Sequence, residues 1–375
     1  MNPNPFLTSY PFTSPPSEFA IVVRKRVRAH LKNHKRSRHA NSALRRKAAF
    51  MVMLFLVSYL LIIFEVGTNQ GWFWVWETTQ AIGFIGIGMS FTHDASHGAF
   101  SSNRRKNLVL RHFFDLVGPS SVIWQIQHVI LHHQFTNIEG IDEDIRPSDW
   151  LRMTPEAPWR FWHRFQPIYG WFVYMLNTIY WVTLKDVECL IRYHQRGYFN
   201  AAQLNVKKEA LKMLVFKSFY FGYILILPML VTDLGWSKVL LGWIFMQALG
   251  GFTLAMIIQP GHVILPLAFA KTRPGMVHEN APMDRMEYQT TTTANYGNGS
   301  KILTWFSGGL NFQIEHHLFP EISHVHYSTI APIVKQTADE FKLPYHHNRT
   351  WWSGILAHAH MLRILAIRPE TSSHN

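Results

Sequence analysis

Residues 48–66 read AAFMVMLFLVSYLLIIFEV, an apolar stretch whose one charge, Glu65, lies near its end. A helix of that length rises about 28 Å, close to the hydrocarbon thickness of a bilayer. Just before it, between Arg24 and Lys47, stand eleven Lys or Arg, and no acid occurs between Glu18 and Glu65. Such a run is either a nucleic-acid arm or the cytoplasmic flank of a membrane span, and the stretch that follows decides for the flank. The segment 1–47 is therefore expected in the cytoplasm, drawn to anionic headgroups, with no nucleic acid as partner. Residues 1–20 are polar and Pro-rich with no apolar core, so no cleavable signal peptide is expected.

Three further spans are expected. Residues 71–91 carry Glu77 and three tryptophans, Trp72, Trp74 and Trp76, that suit an interfacial belt. Residues 213–231 hold one lysine, Lys217, and residues 239–258 hold no charge. The short links 67–70 and 232–238 make two hairpins of the four. The aromatic-rich segment 168–184 could cross the bilayer or lie in its surface. The expected fold is thus an all-α integral membrane protein with about four transmembrane helices. Its parts are a basic segment 1–47, a membrane domain 48–345 and a C-terminal tail 346–375, disordered beyond about Arg363.

The chain has 375 residues, a net charge of +13, 22 histidines and a single cysteine, Cys189. One cysteine excludes an intramolecular disulfide framework, a Cys-rich zinc module and a cluster held by four cysteines of this chain. At 48% apolar and 14% aromatic the chain is not disordered.

Three histidine clusters stand out: THDASHG (92–98), QHVILHHQ (127–134) and NFQIEHHL (311–318). On an α-helix His93 and His97 share a face, His128 and His132 repeat that relation, His133 sits about 100° further round, and Gln313 precedes His316 and His317 by one turn. Imidazole without thiolate suits iron, zinc, copper or nickel. Up to nine donors are too many for one ion and fit two. All three clusters lie on one side of the membrane if the four spans are the only crossings, and the positive-inside rule makes that side the cytoplasm. A crossing by 168–184 would strand the third cluster, so this segment is expected to be interfacial. His262, just past the last span at the depth of His93, is a further candidate ligand. His346-His347 is expected at the surface, His30, His34 and His39 in solvent or against headgroups, and His358 and His360 are unassigned.

The strings HDASH, HVILHH and QIEHH resemble the histidine boxes of the integral-membrane fatty acid desaturase family. The longer strings THDASHGAFS (92–101), WQIQHVILHHQFTNIEG (124–140) and GGLNFQIEHHLFP (308–320) resemble its front-end subgroup, whose mark is a glutamine, here Gln313, opening the third box. The resemblance covers roughly residues 45–345. It implies four spans, a helical cytosolic cap holding two non-haem irons, and O2-dependent removal of two hydrogens from a fatty acyl chain carried as a lipid or CoA ester. It implies His93, His97, His128, His132, His133, His316 and His317 as ligands, with His262 as the extra histidine after the last span and Gln313 as a weak ligand or a group behind the ligands. No His-Pro-Gly-Gly string of a fused cytochrome b5 occurs. Electrons are then expected from a separate ferredoxin or cytochrome b5, docked at Arg24–Lys47 or Arg104–Lys106. Asp94, Glu139, Asp142, Asp144, Glu315, Asn295 and Asn311 are either braces for ligand imidazoles or solvated surface groups. The location implied is a multi-pass membrane protein with the boxes facing the cytoplasm, the inner membrane if the source is bacterial. A hydroxylase or acetylenase on the same scaffold is the alternative reaction; a membrane transporter or haem protein is the alternative of another class.

Overall fold

The computed structural model describes residues 15–145, 149–271 and 284–369. The very N-terminus, on which the absence of a signal peptide was read, and the last six residues of the expected tail lie outside the described residues. Helices dominate, and the strands among the described residues are short. Strand β1 (Ile138–Glu139) pairs parallel with β2 (Ala270–Lys271), and β3 (Ala294–Tyr296) with β4 (His346–Asn348).

Among the described residues three helices are long and apolar enough to cross a membrane: Ser42–Ile63, Val206–Val231 and Trp236–Gly261. They correspond to three of the four expected spans. The first begins six residues early because Asn41 caps it, its side-chain oxygen accepting from the Leu44 amide at 2.9 Å, so Arg45, Arg46 and Lys47 fall inside the helix. The remaining expected span, 71–91, is also helical, but Trp72, Trp74, Trp76, Glu77 and Gln80 dilute its hydropathy and it is not among the three.

We label the packed helices α1 (Glu18–Asn33), α2 (Ser42–Ile63), α3 (Trp72–Ile87), α4 (Gln166–Tyr180), α5 (Asp186–Gln195), α6 (Val206–Phe221), α7 (Trp236–Ile258), α8 (Arg285–Thr292), α9 (Gln313–Leu318), α10 (Tyr327–Glu340) and α11 (Trp351–Ala366). Helix α3 lies between α2 and α7. On α2, Met51, Phe55, Ser58 and Ile62 are buried at helical spacing, while Phe50, Met53, Leu56 and Leu60 face outward, as a lipid-facing helix requires. The α2–α3 contact is close because Gly83 has no side chain: a Cβ there would stand 2.6 Å from the Phe55 amide nitrogen. A second approach brings α4 onto α7, where a Cβ on Gly251 would stand 2.6 Å from the Tyr174 carbonyl. Helix α4 buries Tyr174 and Thr178 against α7 and Gly170 against Leu151 and Leu362, and exposes Ile168, Phe172 and Leu176.

Outside the spans a second core forms. Helix α1 presents Phe19, Val23, Val27 and Leu31 to Ile330, Val334 and Ala338 of α10. The basic N-terminal segment thus contains a docked amphipathic helix. The stretch from 346, expected as a tail, is likewise built into the body. Strand β4 pairs with β3, and α11, begun by a reciprocal cap between Thr350 and Ser353, packs on α4 through Ile355, His358 and Leu362. This helix carries Arg363 and ends at Ala366, past the point where disorder was expected. The apolar residues Ile355, Leu362 and Leu365 already carry this helical spacing in the sequence.

The histidine clusters sit where the two cores meet. Replacing Gly83 with valine should force α2 and α3 apart and cost about 1–3 kcal/mol. Thermal unfolding in detergent checks this: the midpoint should fall by several degrees, and an unchanged midpoint would refute the close contact.

Candidate metal centre

Helix α3 does not end at Ile87. It widens into a π-turn, Gly88–Thr92, and resumes as His93–Ser96, so His93 and His97 sit on its prolongation with the i, i+4 relation read from sequence. The second cluster departs from that reading. Residues Gln125–His132 form a π-helix, with i→i+5 hydrogen bonding. The wider turn sets the Nε2 atoms of His128 and His133, five residues apart, 3.3 Å from each other. The third cluster, α9, is a short helix opening at Gln313.

The boxes do not each gather round one point; they interleave. His93, His97, His128 and His316 bring ligand atoms within 4.8 Å of one another, and so do His132, His262 and His317. The first group draws on all three boxes. The second draws on boxes two and three plus His262. His133 stands between them, grouped with both His316 and His317, its ring stacked on His317 at 4.3 Å. Gln313 shares a cavity wall with His93, His132, His262 and His316. All nine residues singled out in the sequence therefore meet in one place.

What lies behind the rings decides which nitrogen faces inward. Asp144 accepts from His128 Nδ1 at 3.1 Å, and Asp142 from His132 Nδ1 at 3.0 Å. Gln289 accepts from His317 Nδ1 at 2.8 Å, while its amide group donates to the His133 carbonyl at 3.2 Å, which fixes the orientation of the carboxamide. An acceptor behind Nδ1 places the proton there and leaves the Nε2 lone pair free for a metal. His316 Nδ1 meets the Tyr327 hydroxyl at 3.1 Å. In agreement, the Nε2 atoms of His97, His316 and His317, the Nδ1 of His262 and the Oε1 of Gln313 are buried with no hydrogen-bond partner. Unpartnered buried polar atoms are rare and costly. Several converging nitrogens of this kind fit metal ions. The grouping of Asp144 with His128 and His132 is different: the carboxylate faces the Nδ1 sides of both rings, so it orients ligands.

Burial pushes His97, His133, His262, His316 and His317 well below the usual imidazole range, and His128 down to about 4 against the pull of Asp144. Neutral imidazole is the form that ligates. His132 runs the other way: burial opposes its charge, but Asp142 and Asp144 outweigh it and push it up to about 9.

The other acids brace the chain. Asp94 accepts from Ser323 Oγ at 2.6 Å and from His324 Nδ1 at 2.9 Å, joining box one to the stretch after box three. Glu315, pushed up to about 7 by burial, accepts from Asn295 and Tyr345, each at 2.8 Å, and Asn295 also accepts from the Ile314 amide. Asn311 bonds Ser307 and Thr304, away from the ligands, and Glu139 lies buried in β1. Asn137, in the left-handed region at φ 59°, donates to the backbone of His262 and Ala268. Gln289, Tyr327 and Asn137 were not singled out from sequence. For Gln289 there was a signal: 288–295, YQTTTTAN, is polar yet uncharged, unlike a solvated surface, and Gln289 through Asn295 is almost wholly buried.

Of the remaining histidines, His358 is structural, donating from Nδ1 to the Val263 carbonyl at 2.8 Å and accepting from the Tyr174 hydroxyl at 2.7 Å. His346 is half-buried in β4 and His347 exposed, away from the candidate groups. His30 and His34 set their rings side by side at the end of α1, tilted by 39° with centroids 4.3 Å apart.

A cavity of about 120 Å³ reaches these histidines. Its apolar wall includes Phe84, Ile85 and Met89 from α3 and its π-turn, Leu254 and Ile258 from α7, and Leu310. Trp124 stacks on His128, with ring centroids 4.4 Å apart.

A family model described as fatty acid desaturase matches residues 76–349. The sn-1 linoleoyl-lipid 6-desaturase of Arthrospira platensis is 29% identical over 95% of this chain and 94% of its own length. The acyl-lipid (8-3)-desaturase of Physcomitrium patens is 32% identical over 92% of this chain and 72% of its own, and the sn-1 linoleoyl-lipid 6-desaturase of Synechocystis sp. is 30% identical over 92% and 95%.

Two outcomes are expected of the centre. Gln289→Leu removes the acceptor behind His317 and should weaken metal retention about 10–100-fold, measured as residual metal after dialysis against graded chelator; retention equal to the parent would refute the assignment. In metal-stripped protein the depressed histidines resist protonation that the unfolded chain accepts below about pH 6.5, so stability should fall as pH drops through that value. The raised His132 contributes stability that is full below about 6.5 and lost as pH rises toward 9. Thermal scans from pH 5 to 9 should therefore show a maximum near neutrality, and a steady rise toward pH 5 would contradict it.

Proposed function

The chain belongs to the fatty acid desaturase family, whose members are oxidoreductases, and on that premise we propose that it is a front-end acyl desaturase using a non-haem diiron centre. It inserts a cis double bond between an existing one and the carboxyl end of a membrane-associated acyl chain, an acyl-lipid or acyl-CoA. The observation that carries this reading is the pair of buried imidazole groups opening on an apolar cavity.

In this reading His93, His97, His128 and His316 hold one iron, and His132, His262 and His317 the other. His133 stands between them, and Gln313 offers a further oxygen. When bound, the irons supply the O2 activation that breaking C–H bonds without acidity requires. The protein's share is positional. Asp144, Asp142, Gln289 and Tyr327 hold the rings in one tautomer and orientation. Phe84, Ile85, Met89, Leu254 and Leu310 line the cavity for methylenes and keep it dry. The balance is –CH2–CH2– plus O2, two electrons and two protons giving –CH=CH– and two waters. A separate ferredoxin or cytochrome b5 supplies the two electrons. We further propose that α3 is the fourth span, that α4 and the π-turn Trp181–Lys185 that follows it lie in the interface, and that the centre faces the cytoplasm.

Expression in a host of known fatty acid profile, followed by gas chromatography–mass spectrometry, tests this. A new unsaturated acid with the added bond toward the carboxyl end is expected, lost to background in His316→Ala. A product that persists in His316→Ala would sink the site, and a hydroxylated product would sink the reaction. Metal analysis should find about two irons per chain and no Soret band.

A further inference from the structure

Two open apolar grooves of similar size flank α7, about 680 Å³ on the α4 side and about 600 Å³ on the side of the helix Lys301–Phe306. Both fall within the roughly 300–1,000 Å³ of ordinary small-molecule sites. They differ in one respect. The α4-side groove shares Asn177, Ala255 and Gln259 with the cavity at the histidines, whereas the other groove shares no lining residue with it.

The outer end of the α4-side groove is formed by Trp150, Val173, Leu176 and Tyr180. Around it stand Ile168, Phe172 and Leu176, one exposed ridge of α4 at i, i+4, i+8, with exposed Trp150, Phe161 and Phe165 beside it. Side chains of this kind belong at a lipid surface. Among its described lining residues the groove has no Lys or Arg; its one charge, Asp149, is paired by the exposed Arg160 at 2.9 Å, which leaves no free cation among those residues. A CoA ester brings several phosphate charges and calls for cations at the mouth. A chain esterified to a membrane lipid brings none into the groove. Asn177, where groove and cavity join, has a half-buried carboxamide with no side-chain hydrogen bond among the described residues.

We propose that this groove is a lateral doorway through which an acyl chain, still esterified to a lipid in the bilayer, reaches the centre, with Asn177 at the threshold. The proposal rests on the desaturase reading and narrows its substrate to acyl-lipid. The chain leaves the bilayer sideways between α4 and α7, and its headgroup stays at the surface beside Trp150 and Tyr180. Neither end of the lipid then has to cross the protein.

The test uses the full-length holoenzyme in vesicles of phosphatidylcholine carrying a diazirine on one acyl chain. Photo-crosslinks should map to residues 149–180 and 255–259, and acyl-CoA of the same chain should not displace them. Asn177→Trp should block the junction. Crosslinks at the inner cavity and desaturation of the lipid-borne chain should fall about tenfold or more, with iron content unchanged. Ile302→Trp, in the unconnected groove, should alter neither. Crosslinks confined to the Ile302 groove, displacement by acyl-CoA, or an Asn177→Trp protein that loads iron and keeps parental yields would each overturn the doorway. Should Asn177→Trp fail to load iron, the crosslink map of the parent decides by itself. Crosslinks in the groove without any double bond would leave the doorway standing and remove the desaturase reading; double bonds with crosslinks elsewhere would do the reverse.

Discussion

A buried imidazole nitrogen with nothing to bond is a cost the fold must offset, about 1–3 kcal/mol for each atom stripped of water. Here eight rings crowd together, with centroids such as His93–His316 at 4.6 Å and His132–His262 at 4.7 Å, and several of their nitrogens point at no protein partner. Protonation offers little relief, since neighbouring charged rings would repel and burial opposes the charge. A cation that accepts the lone pairs satisfies all of them together. The arrangement of helices follows from that: α3 and α7 must end at one depth to deliver His93 and His262, and the polar segments beyond must fold back to deliver box three.

Convergence on two points rather than one depends on departures from the regular helix. In an α-helix His128 and His132 share a face, and His133 is turned away. The π-helix over Gln125–His132 changes that phase and brings His133 Nε2 to His128. His128 then joins box one, His132 joins His262, and His133 lies between. The π-turn Gly88–Thr92 at the end of α3 lets Thr92 Oγ1 donate to the Ile87 and Gly88 carbonyls just where the ladder is re-phased. Irregular backbone is thus placed where ligands must be aimed, as local strain commonly is at functional sites.

The sequence made the spans legible because hydropathy is additive along a helix, and the boxes legible because ligand spacing is local. It left hidden what depends on contacts distant in the chain. Gln289 lies 28 residues before His317, and Tyr327 eleven after His316, so no periodicity ties either to its ring. The interleaving of boxes was hidden for a related reason: the segment Gln125–His132 is π-helical although its histidine spacing fits an α-helix, and no residue type announces that change. The helix α1, masked by its eleven-cation neighbourhood, shows the reverse case. Its charges dominated the reading, while Phe19, Val23, Val27 and Leu31 already carried the pattern of a docked face.

The ligand set also bears on charge. Imidazoles are neutral donors, so in the proposed diiron reading a pair of divalent ions among them would not be neutralised by the atoms that touch it. Compensation stands one hydrogen bond further out, in Asp144 behind His128 and Asp142 behind His132. The separation has a structural consequence. In the proposed diiron reading a carboxylate behind a ring fixes that ring without taking a metal position; Asp142 stands wholly behind His132, while Asp144, with Glu143 and Lys185, also lines the cavity that Phe84, Met89 and Leu254 share with His93, His132 and His316. In the same reading, acids as direct ligands would carry their hydration into the space that an acyl chain would fill. In that reading, negative charge behind the imidazoles would offset the cations and leave the positions that face them to neutral rings.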